Sequence, residues 1–262
     1  MGLDKLKEYV ISHPESCCYF YKEHNCDLNY IEYYEKINKR NIIIKKKSIN
    51  NKESWWFMKK ITYLTTNPLK VEEAKLILSL YDIEVEILDV DFEILEIQAK
   101  NCADVAKFSA KYAAEKLGIP VLKSDSGIYV DALGGLPGPY TAYFANQIGI
   151  DKFLKLLKNE KNRRARIEHC FAYCEPGSEP IVFVGGSTGT ISRESRGVLG
   201  AWHDKFYIPD GENKTLSELR SIDHVYESKF YGNALRDFAK WYLKHEKVKI
   251  TNSKKDKKRI AI

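Results

Sequence analysis

Apolar positions recur with two different periods along most of the chain. Short apolar runs at residues 60–65 and 84–90 predict buried strands. Apolar residues spaced three and four apart predict helices over residues 70–81 and 103–117. The second helix is predicted to end at Gly118, because glycine is favoured just past the last turn of a helix.

The rest of the pattern continues the alternation of strands and helices. Residues 165–174 and 181–185 predict two antiparallel strands joined by a Pro-Gly-Ser turn. Further strands are predicted at residues 121–122 and 188–192, and helices at residues 151–157, from 217 and at 233–245. Strands that alternate with helices are typical of an α/β fold, and the hairpin predicts that the sheet is mixed.

The first 57 residues differ in composition from the remainder. They are rich in Lys, Asn, Ile and Tyr, and residues 42–52 have the composition of a linker. We therefore predict an appended N-terminal segment of unknown role over residues 1–57, a main domain over 58–245, and a basic, frayed tail over 246–262. A weak contact of the tail with nucleic acid or a partner protein is the alternative to a solvated end.

Composition limits the class of protein. Of the 262 residues, 44% are hydrophobic and 30% are charged, which excludes a wholly disordered chain. No apolar run approaches the roughly 20 residues that a membrane span needs, and the N-terminus lacks the apolar core of a secretory signal. We therefore expect a cytoplasmic protein, or one of another reducing compartment, with its cysteines as thiols and no membrane partner. The net charge of +6 suits an anionic ligand without choosing between nucleotide and nucleic acid.

A candidate phosphate-binding turn follows the first predicted strand. The strand ends at Thr65 and Thr66, Asn67 and Pro68 form a turn, and a helix begins with Lys70 in its first turn. Backbone N–H groups at a helix N-terminus favour an anion, and a lysine there adds positive charge. The turn is not a Walker loop, because it lacks Gly-Lys-Ser/Thr. An ordinary capped turn with a surface lysine is the alternative.

Two acidic residues lie where predicted loops leave strands. Glu96 lies in the sequence Leu-Glu-Ile-Gln and Asp125 in the sequence Ser-Asp-Ser-Gly. Ligands of α/β folds bind at such strand ends, and Mg²⁺ prefers one or two carboxylates together with waters and substrate phosphate oxygens. The two acids therefore predict a magnesium site beside the phosphate turn. The alternative is that each acid caps a helix or turn.

A rigid loop over residues 131–140 completes the set, with the sequence Asp-Ala-Leu-Gly-Gly-Leu-Pro-Gly-Pro-Tyr. Taken in order, Thr-x-Asn-x-x-Lys, Glu-Ile-Gln, Asp-Ser-Gly and this loop resemble the inosine triphosphate pyrophosphatase family, over about residues 58–243. Members of that family clean the nucleotide pool. They hydrolyse purine nucleoside triphosphates with deaminated bases to the monophosphate and pyrophosphate.

The resemblance implies a fold, a cofactor and a set of site residues. The implied fold is an elongated α/β structure, in which a twisted mixed sheet carries helices that form two lobes around a central cleft. The implied substrate is XTP, ITP or dITP, the cofactor Mg²⁺, and the assembly a homodimer. By resemblance, Glu96 and Asp125 hold Mg²⁺, Asp125 also orients or deprotonates the attacking water, and Lys70 assists by offsetting phosphate charge. The residues expected to contact the triphosphate are Thr65, Thr66, Asn67, Lys70, Ser126 and, at a looser match, Lys111.

The chain departs from the family pattern beside the metal and at the base. Ser124 stands where the family usually has a second acid before the Asp of Asp-Ser-Gly. Where the family has Phe-Gly-Trp/Tyr-Asp-Pro, residues 201–205 are Ala-Trp-His-Asp-Lys. Asp204 aligns with the family aspartate, and Trp202 or His203 is expected to stack on the base in place of the missing aromatic residue.

The last base-recognition motif is changed as well. His224 falls where the family has a lysine, and Ser-Lys-Phe, with Lys229 in the middle, replaces Ser-His-Arg. Because the loss of base-reading donors relaxes or changes selectivity, we predict pyrophosphohydrolase chemistry with altered base selectivity. Two alternatives stay open. One is a nucleotide-binding relative without turnover, and the other, in which nucleic acid would be the partner, is an RNA-binding module built on the tyrosines and lysines of residues 30–47.

Overall fold

The computed structural model describes residues 59–88, 94–222 and 232–246. The chain divides after Met58 into two units, and all of the described residues belong to the second. The predicted appended segment and all but the first residue of the predicted tail lie outside the described residues. The proposed division of the chain into three parts therefore stays a prediction.

A parallel unit begins the fold. Strand β1 (Lys59–Tyr63) leads into helix α1 (Pro68–Ser79) and on to β2 (Ile83–Glu86), which pairs with β1 in parallel. On its other side, β1 pairs in parallel with the start of β3 (Val121–Val130). This arrangement places the carboxyl end of β1 and the first turn of α1 together, at the position where α/β folds bind ligands.

The rest of the sheet is antiparallel. Strand β3 pairs with β5 (Arg164–Cys174), β5 with β6 (Ile181–Ile191), and β6 with β7 (Tyr207–Pro209), so that the order is β2-β1-β3-β5-β6-β7. A two-residue strand, β4 (Pro137–Gly138), pairs with the far part of β3. The α/β class and the mixed sheet predicted from the sequence are confirmed.

Five helices are found in the part of the chain that the structure describes. After α1, they are α2 (Cys102–Leu117), α3 (Thr141–Leu156), α4 (Leu216–Ile222) and α5, which spans residues 232–246. None of these helices combines the length and the apolar content that a bilayer crossing requires.

Helix α2 shows how local sequence sets the ends of an element. The Asn101 side chain accepts a hydrogen bond from the Asp104 backbone N–H at 2.8 Å and so caps the first turn. Gly118 ends the helix with a φ of 68°, in the left-handed region that favours glycine. The predicted end of this helix is confirmed.

Two apolar cores lie on the same face of the sheet, with a polar strip between them. Leu122 belongs to the first core, which packs against α1 and α5, and Ile128 belongs to the second, which packs against α3 and α4. Because side chains alternate along a strand, Ser124 and Ser126 lie on this face between the two cores. His169 of β5 lies opposite Ser126. Helix α2 covers the other face with a third core, which includes the buried thiols of Cys170 and Cys174.

Candidate active site

The edge of β3 is open beside the end of β1. Strand β1 pairs with β3 at residues 121–122, and β4 pairs with β3 at residues 128–129. Among the described residues, no strand pairs with residues 123–127 on that side of β3. Just beyond β1, the Leu64 backbone N–H donates a hydrogen bond of 3.0 Å to the Leu122 carbonyl oxygen. Side chains on both faces of β3 therefore border one opening.

The predicted phosphate turn lies between β1 and α1, at this opening. The Asn67 side-chain oxygen accepts a hydrogen bond of 3.0 Å from the Leu69 N–H, and Thr65 Oγ1 accepts one of 3.2 Å from the Asn67 N–H. Pro68 occupies the first helical position, where a missing N–H costs nothing. Thr66 and Asn67 are exposed, and Lys70 is partly exposed. The turn thus holds its own shape and presents the N-terminus of α1 to solvent.

Lys70, Glu96 and Asp125 lie close enough for the charges of the first two to act on the third. Burial raises the pKa of Asp125, the positive charge of Lys70 lowers it, and the negative charge of Glu96 raises it. The Oδ2 atom of Asp125 is enclosed and has no hydrogen-bond partner among the described residues. An enclosed carboxylate oxygen without a partner points to a bound group that completes the site.

Lys123 is a member of this cluster that the motif analysis missed. Its side chain is buried, with 8% of the residue exposed, and its Nζ lies 3.9 Å from Glu96 Oε1. Burial lowers the pKa of Lys123, while the charges of Glu96 and Asp125 oppose that effect and the charge of Lys70 adds to it. The signal was present in the sequence, because residues two apart on a strand share a face and Lys123 precedes Asp125 by two.

The donor set fits Mg²⁺. Among the described residues there is no group of three or more His, Cys, Asp and Glu side chains that could hold a metal ion. Mg²⁺ does not need such a cage, because it is bound by one or two carboxylates together with waters and substrate phosphates. The unpartnered oxygen of Asp125 and the carboxylate of Glu96, whose charge acts on Asp125, are oxygen donors of this kind.

The glycine-rich loop packs against Gly127, two residues after Asp125. A side chain at Gly127, the last residue of Asp-Ser-Gly, would collide with the carbonyl oxygen of Gly138, which has a φ of 56°. Thr141 Oγ1 donates a hydrogen bond to this carbonyl oxygen at 2.7 Å and accepts one from the Ile128 N–H at 2.9 Å. Both glycines are therefore required by the close backbone approach that fixes the end of β3.

A second polar cluster lies on the face of the sheet between the two apolar cores. Asp204 is fully buried, and its Oδ2 accepts hydrogen bonds from the Ala201 N–H at 2.8 Å and from Arg220 Nε at 2.9 Å. His203 Nε2 lies 3.4 Å from Asp204 Oδ1, and neither atom has a hydrogen-bond partner among the described residues. His203 and Asp204 of this motif are thus buried, and Asp204 is joined to Arg220, which the sequence analysis did not select.

Glu73 and His169 connect the two clusters. Burial raises the pKa of Glu73 to about 7, and the positive charges of Arg220 and Lys70 oppose this rise. Burial also lowers the pKa of His169 well below its usual range, with a further contribution from the charge of Lys70. Lys70 therefore interacts with the acids at the β3 edge and with the buried groups around Asp204.

Comparison with known proteins identifies the family. The sequence profile of the Ham1 family matches residues 61–241. The chain belongs to the Ham1 family. This membership confirms the resemblance that the motifs predicted.

Relatives and solved structures agree with the family assignment. A dITP/XTP pyrophosphatase of Methanopyrus kandleri is 42% identical over 183 residues, which cover 70% of this chain and 96% of that protein. One of Thermococcus kodakarensis is 38% identical over 182 residues, with the same coverage of 70% and 96%. The Ham1 protein of Staphylococcus aureus superposes with a TM-score of 0.61 at 27% identity, covering 72% of this chain and 100% of that one. A HAM1 protein from Coxiella burnetii gives a TM-score of 0.62 at 25% identity, with coverage of 71% and 100%.

Within this Ham1 fold, Trp202 is held by packing. Its ring contacts Phe153 with centroids 4.7 Å apart and Phe206 with centroids 4.8 Å apart, both edge-on. The ring is partly exposed and packs against the second apolar core, and His203 beside it is buried. Stacking of Trp202 or His203 on a base stays a prediction.

Of the remaining residues predicted to contact the ligand, one lies at the β3 opening, one lies elsewhere, and two are outside the described residues. Ser126 is half-buried at the β3 opening. Lys111 is not brought to the site, because it forms an ion pair with Glu179 in the turn between β5 and β6. His224 and Lys229 lie outside the described residues.

Proposed function

We propose that this protein hydrolyses nucleoside triphosphates with deaminated purine bases, dITP and XTP, to the nucleoside monophosphate and pyrophosphate. Relatives that are 35–42% identical carry the name dITP/XTP pyrophosphatase. The observation that carries the proposal is the enclosed Oδ2 atom of Asp125, which has no hydrogen-bond partner among the described residues and lies on a side chain on which the charges of Lys70 and Glu96 act. These residues provide the positive charge and the carboxylates that a triphosphate site requires.

The phosphate chain is proposed to bind at the turn between β1 and α1. Lys70 offers an ammonium group there, and the first N–H groups of α1 offer hydrogen bonds to an anion. The exposed Thr66 hydroxyl and the Asn67 amide NH₂ can donate to phosphate oxygens, since the cap occupies only the Asn67 carbonyl oxygen. This arrangement holds the triphosphate without a Walker loop.

Glu96 and Asp125 are the proposed ligands of Mg²⁺. When bound, the ion would offset negative charge on the phosphate oxygens and lower the pKa of a water molecule. Asp125 is suited to this position because its Oδ2 is enclosed and has no partner among the described residues.

The proposed reaction is attack of water on the α-phosphorus. A bond forms between the water oxygen and the α-phosphorus, the bond from the α-phosphorus to its bridging oxygen breaks, and pyrophosphate leaves. The Asp125 carboxylate orients the attacking water and accepts the proton that this water releases as the new bond forms. Lys70 offsets the charge that grows on the phosphate oxygens.

Base recognition is proposed to depend on the buried cluster around Asp204. The carboxylate is held by Arg220 and the Ala201 N–H, so its position is set before a base arrives. Residue 201 is alanine where the family has an aromatic residue, so less stacking energy is available for any base. We therefore propose altered or relaxed base selectivity.

A nucleotide panel tests this function. Pyrophosphate release is measured for ITP, XTP, dITP, dUTP and the four standard NTPs, with Mg²⁺ and with EDTA. We expect release from ITP and XTP that requires Mg²⁺ and that Asp125→Asn abolishes. As a control, Asp151→Asn replaces an exposed aspartate of α3 and should leave release unchanged. Nucleotide binding without pyrophosphate release would instead support a relative that has lost turnover.

Mg²⁺ dependence, a homodimer and a cytoplasmic location are parts of this proposal. The donor set supports Mg²⁺, and the buried thiols of Cys102, Cys170 and Cys174 suit a reducing compartment. The homodimer rests on the family resemblance, and light scattering of the purified protein tests it.

A further inference from the structure

Lys123 is a buried cation beside Glu96, one of the two proposed metal ligands. Its side chain is 10% exposed, and its Nζ lies 3.9 Å from Glu96 Oε1, while the Glu96 side chain itself is 59% exposed. It shares a strand face with Asp125, two residues further along β3. The charges of Lys70, Glu96 and Asp125 all act on it.

Packing alone does not account for a lysine at this position. Removing an ammonium from water is costly, and a single contact of 3.9 Å with an exposed carboxylate is weak compensation. An apolar side chain of similar length would suit a structural role better. The charge at position 123 therefore points to a ligand that is negatively charged.

The charges at the β3 opening balance in the absence of ligand. Lys70 and Lys123 contribute two positive charges, and Glu96 and Asp125 contribute two negative charges. Position 124, where the family usually has an additional acid, is a serine whose Oγ lies 2.5 Å from the Tyr63 hydroxyl. The net charge of these four side chains is zero, so they do not attract a free divalent cation. A triphosphate, in contrast, can form ion pairs with the two lysines.

We propose that Lys123 binds the phosphate chain of the metal–nucleotide complex and, when no nucleotide is bound, competes with the metal for Glu96. The proposal rests on the proposed function, since it assigns a role within the same site. Its consequence is that the metal enters with the nucleotide and not before it. Replacing Lys123 should then affect metal binding and nucleotide binding in opposite directions.

The test compares the wild type with Lys123→Met in two measurements. The first is the Kd of Mn²⁺ for the nucleotide-free protein by calorimetry, where we expect binding about tenfold tighter or more in the variant, because a positive charge leaves the site. The second is the KM for Mg²⁺–ITP, where we expect an increase of about tenfold or more with a smaller change in kcat, because a charge-assisted contact is lost in ground and transition states alike.

Two further variants separate this role from others. Lys107→Met removes an exposed lysine of α2 and should change neither constant. In a Glu96→Gln background, Lys123→Met should tighten Mn²⁺ binding by much less, because the carboxylate for which both cations compete is gone and only the general effect of the lost charge is left. Thermal unfolding checks the fold, and the variant should be no less stable than the wild type because methionine is buried at lower cost.

The outcomes decide the proposal. Mn²⁺ binding that is unchanged or weaker in Lys123→Met, or an unchanged KM, overturns it. If Lys123→Met raises both the Kd of Mn²⁺ and the KM for Mg²⁺–ITP, Lys123 has a structural role, and this result also overturns the proposal. If the wild type releases no pyrophosphate from any nucleotide, the proposed function fails, but the Mn²⁺ measurement still decides whether Lys123 competes for Glu96.

Discussion

Glu73 should make the stability of this protein depend on pH. The residue lies one turn after Lys70 on α1, and its Oε1 is enclosed without a hydrogen-bond partner among the described residues. Burial raises the pKa of this carboxyl from an ordinary value of 4.5 to about 7, although the charges of Arg220, Lys70 and Arg236 lower it. The cost of desolvation therefore exceeds the attraction of the surrounding cations.

The direction of the effect follows from the two pKa values. The carboxyl ionises near 4.5 in the unfolded chain and near 7 in the folded protein, so the folded state binds the proton more tightly. The free energy of unfolding falls as the pH rises above about 4.5, and the loss is complete above about 7. The full difference corresponds to roughly 3 kcal/mol.

Glu73→Gln removes this ionisation and keeps the size of the side chain. We expect the variant to be more stable than the wild type by roughly 2–3 kcal/mol at pH 8, and by less than about 1 kcal/mol at pH 5. Urea unfolding of the metal-free protein, followed by circular dichroism at both pH values, measures the difference. Glu72→Gln, at an exposed position of the same helix, is the control and should show no such dependence on pH.

Two results would contradict the reasoning. A stability difference between Glu73→Gln and the wild type that is equal at pH 5 and pH 8 would show that Glu73 does not ionise in this range. A variant less stable than the wild type at pH 8 would show that the cations around Glu73 outweigh its burial.

Three more substitutions, and one control substitution, test the packing and the site. Gly127→Ala should cost about 3 kcal/mol or more in urea unfolding, because its Cβ would collide with the Gly138 carbonyl; Gly134→Ala, with a φ of 63° and no neighbour within 4 Å, should cost only about 1–2 kcal/mol. Asp204→Asn should weaken the contact with Arg220 and destabilise the protein by about 1–3 kcal/mol, and an unchanged kcat/KM for ITP would contradict its proposed role at the base. Trp202→Leu should cost about 2–4 kcal/mol, because the ring packs against Phe153 and Phe206; a changed ratio of kcat/KM between ITP and GTP without loss of stability would show that the ring stacks on the base.

Residues close together in a motif were predicted well from the sequence. The strand, turn and helix around Lys70 follow from a short apolar run, a capping asparagine and a proline, all of which act over a few residues. The end of α2 at Gly118 follows from the same kind of local rule. Lys111 was matched at loose spacing, and its partner proved to be Glu179, which lies 68 residues further along the chain.

The sequence analysis did not select residues whose role depends on groups that are distant in the chain. Arg220 meets Asp204 across 16 residues of chain, and Glu73 experiences charges from α1, from α4 and from α5. Lys123 was passed over because no motif contains it, although the alternation of side chains on β3 places it beside Asp125.

The sequence by itself determined the family, the α/β class and the local turns that present Lys70 and Asp125. Hydrophobic period, capping and backbone sterics are short-range, so a single chain segment carries enough information to predict them. Only the tertiary structure decided that, among the described residues, one edge of β3 has no paired strand between β1 and β4. It also decided that Lys123 and Glu73 are desolvated beside other charged groups. Desolvation and Coulomb interaction depend on every group within several ångströms, and those groups come from segments that the sequence separates by more than 160 residues.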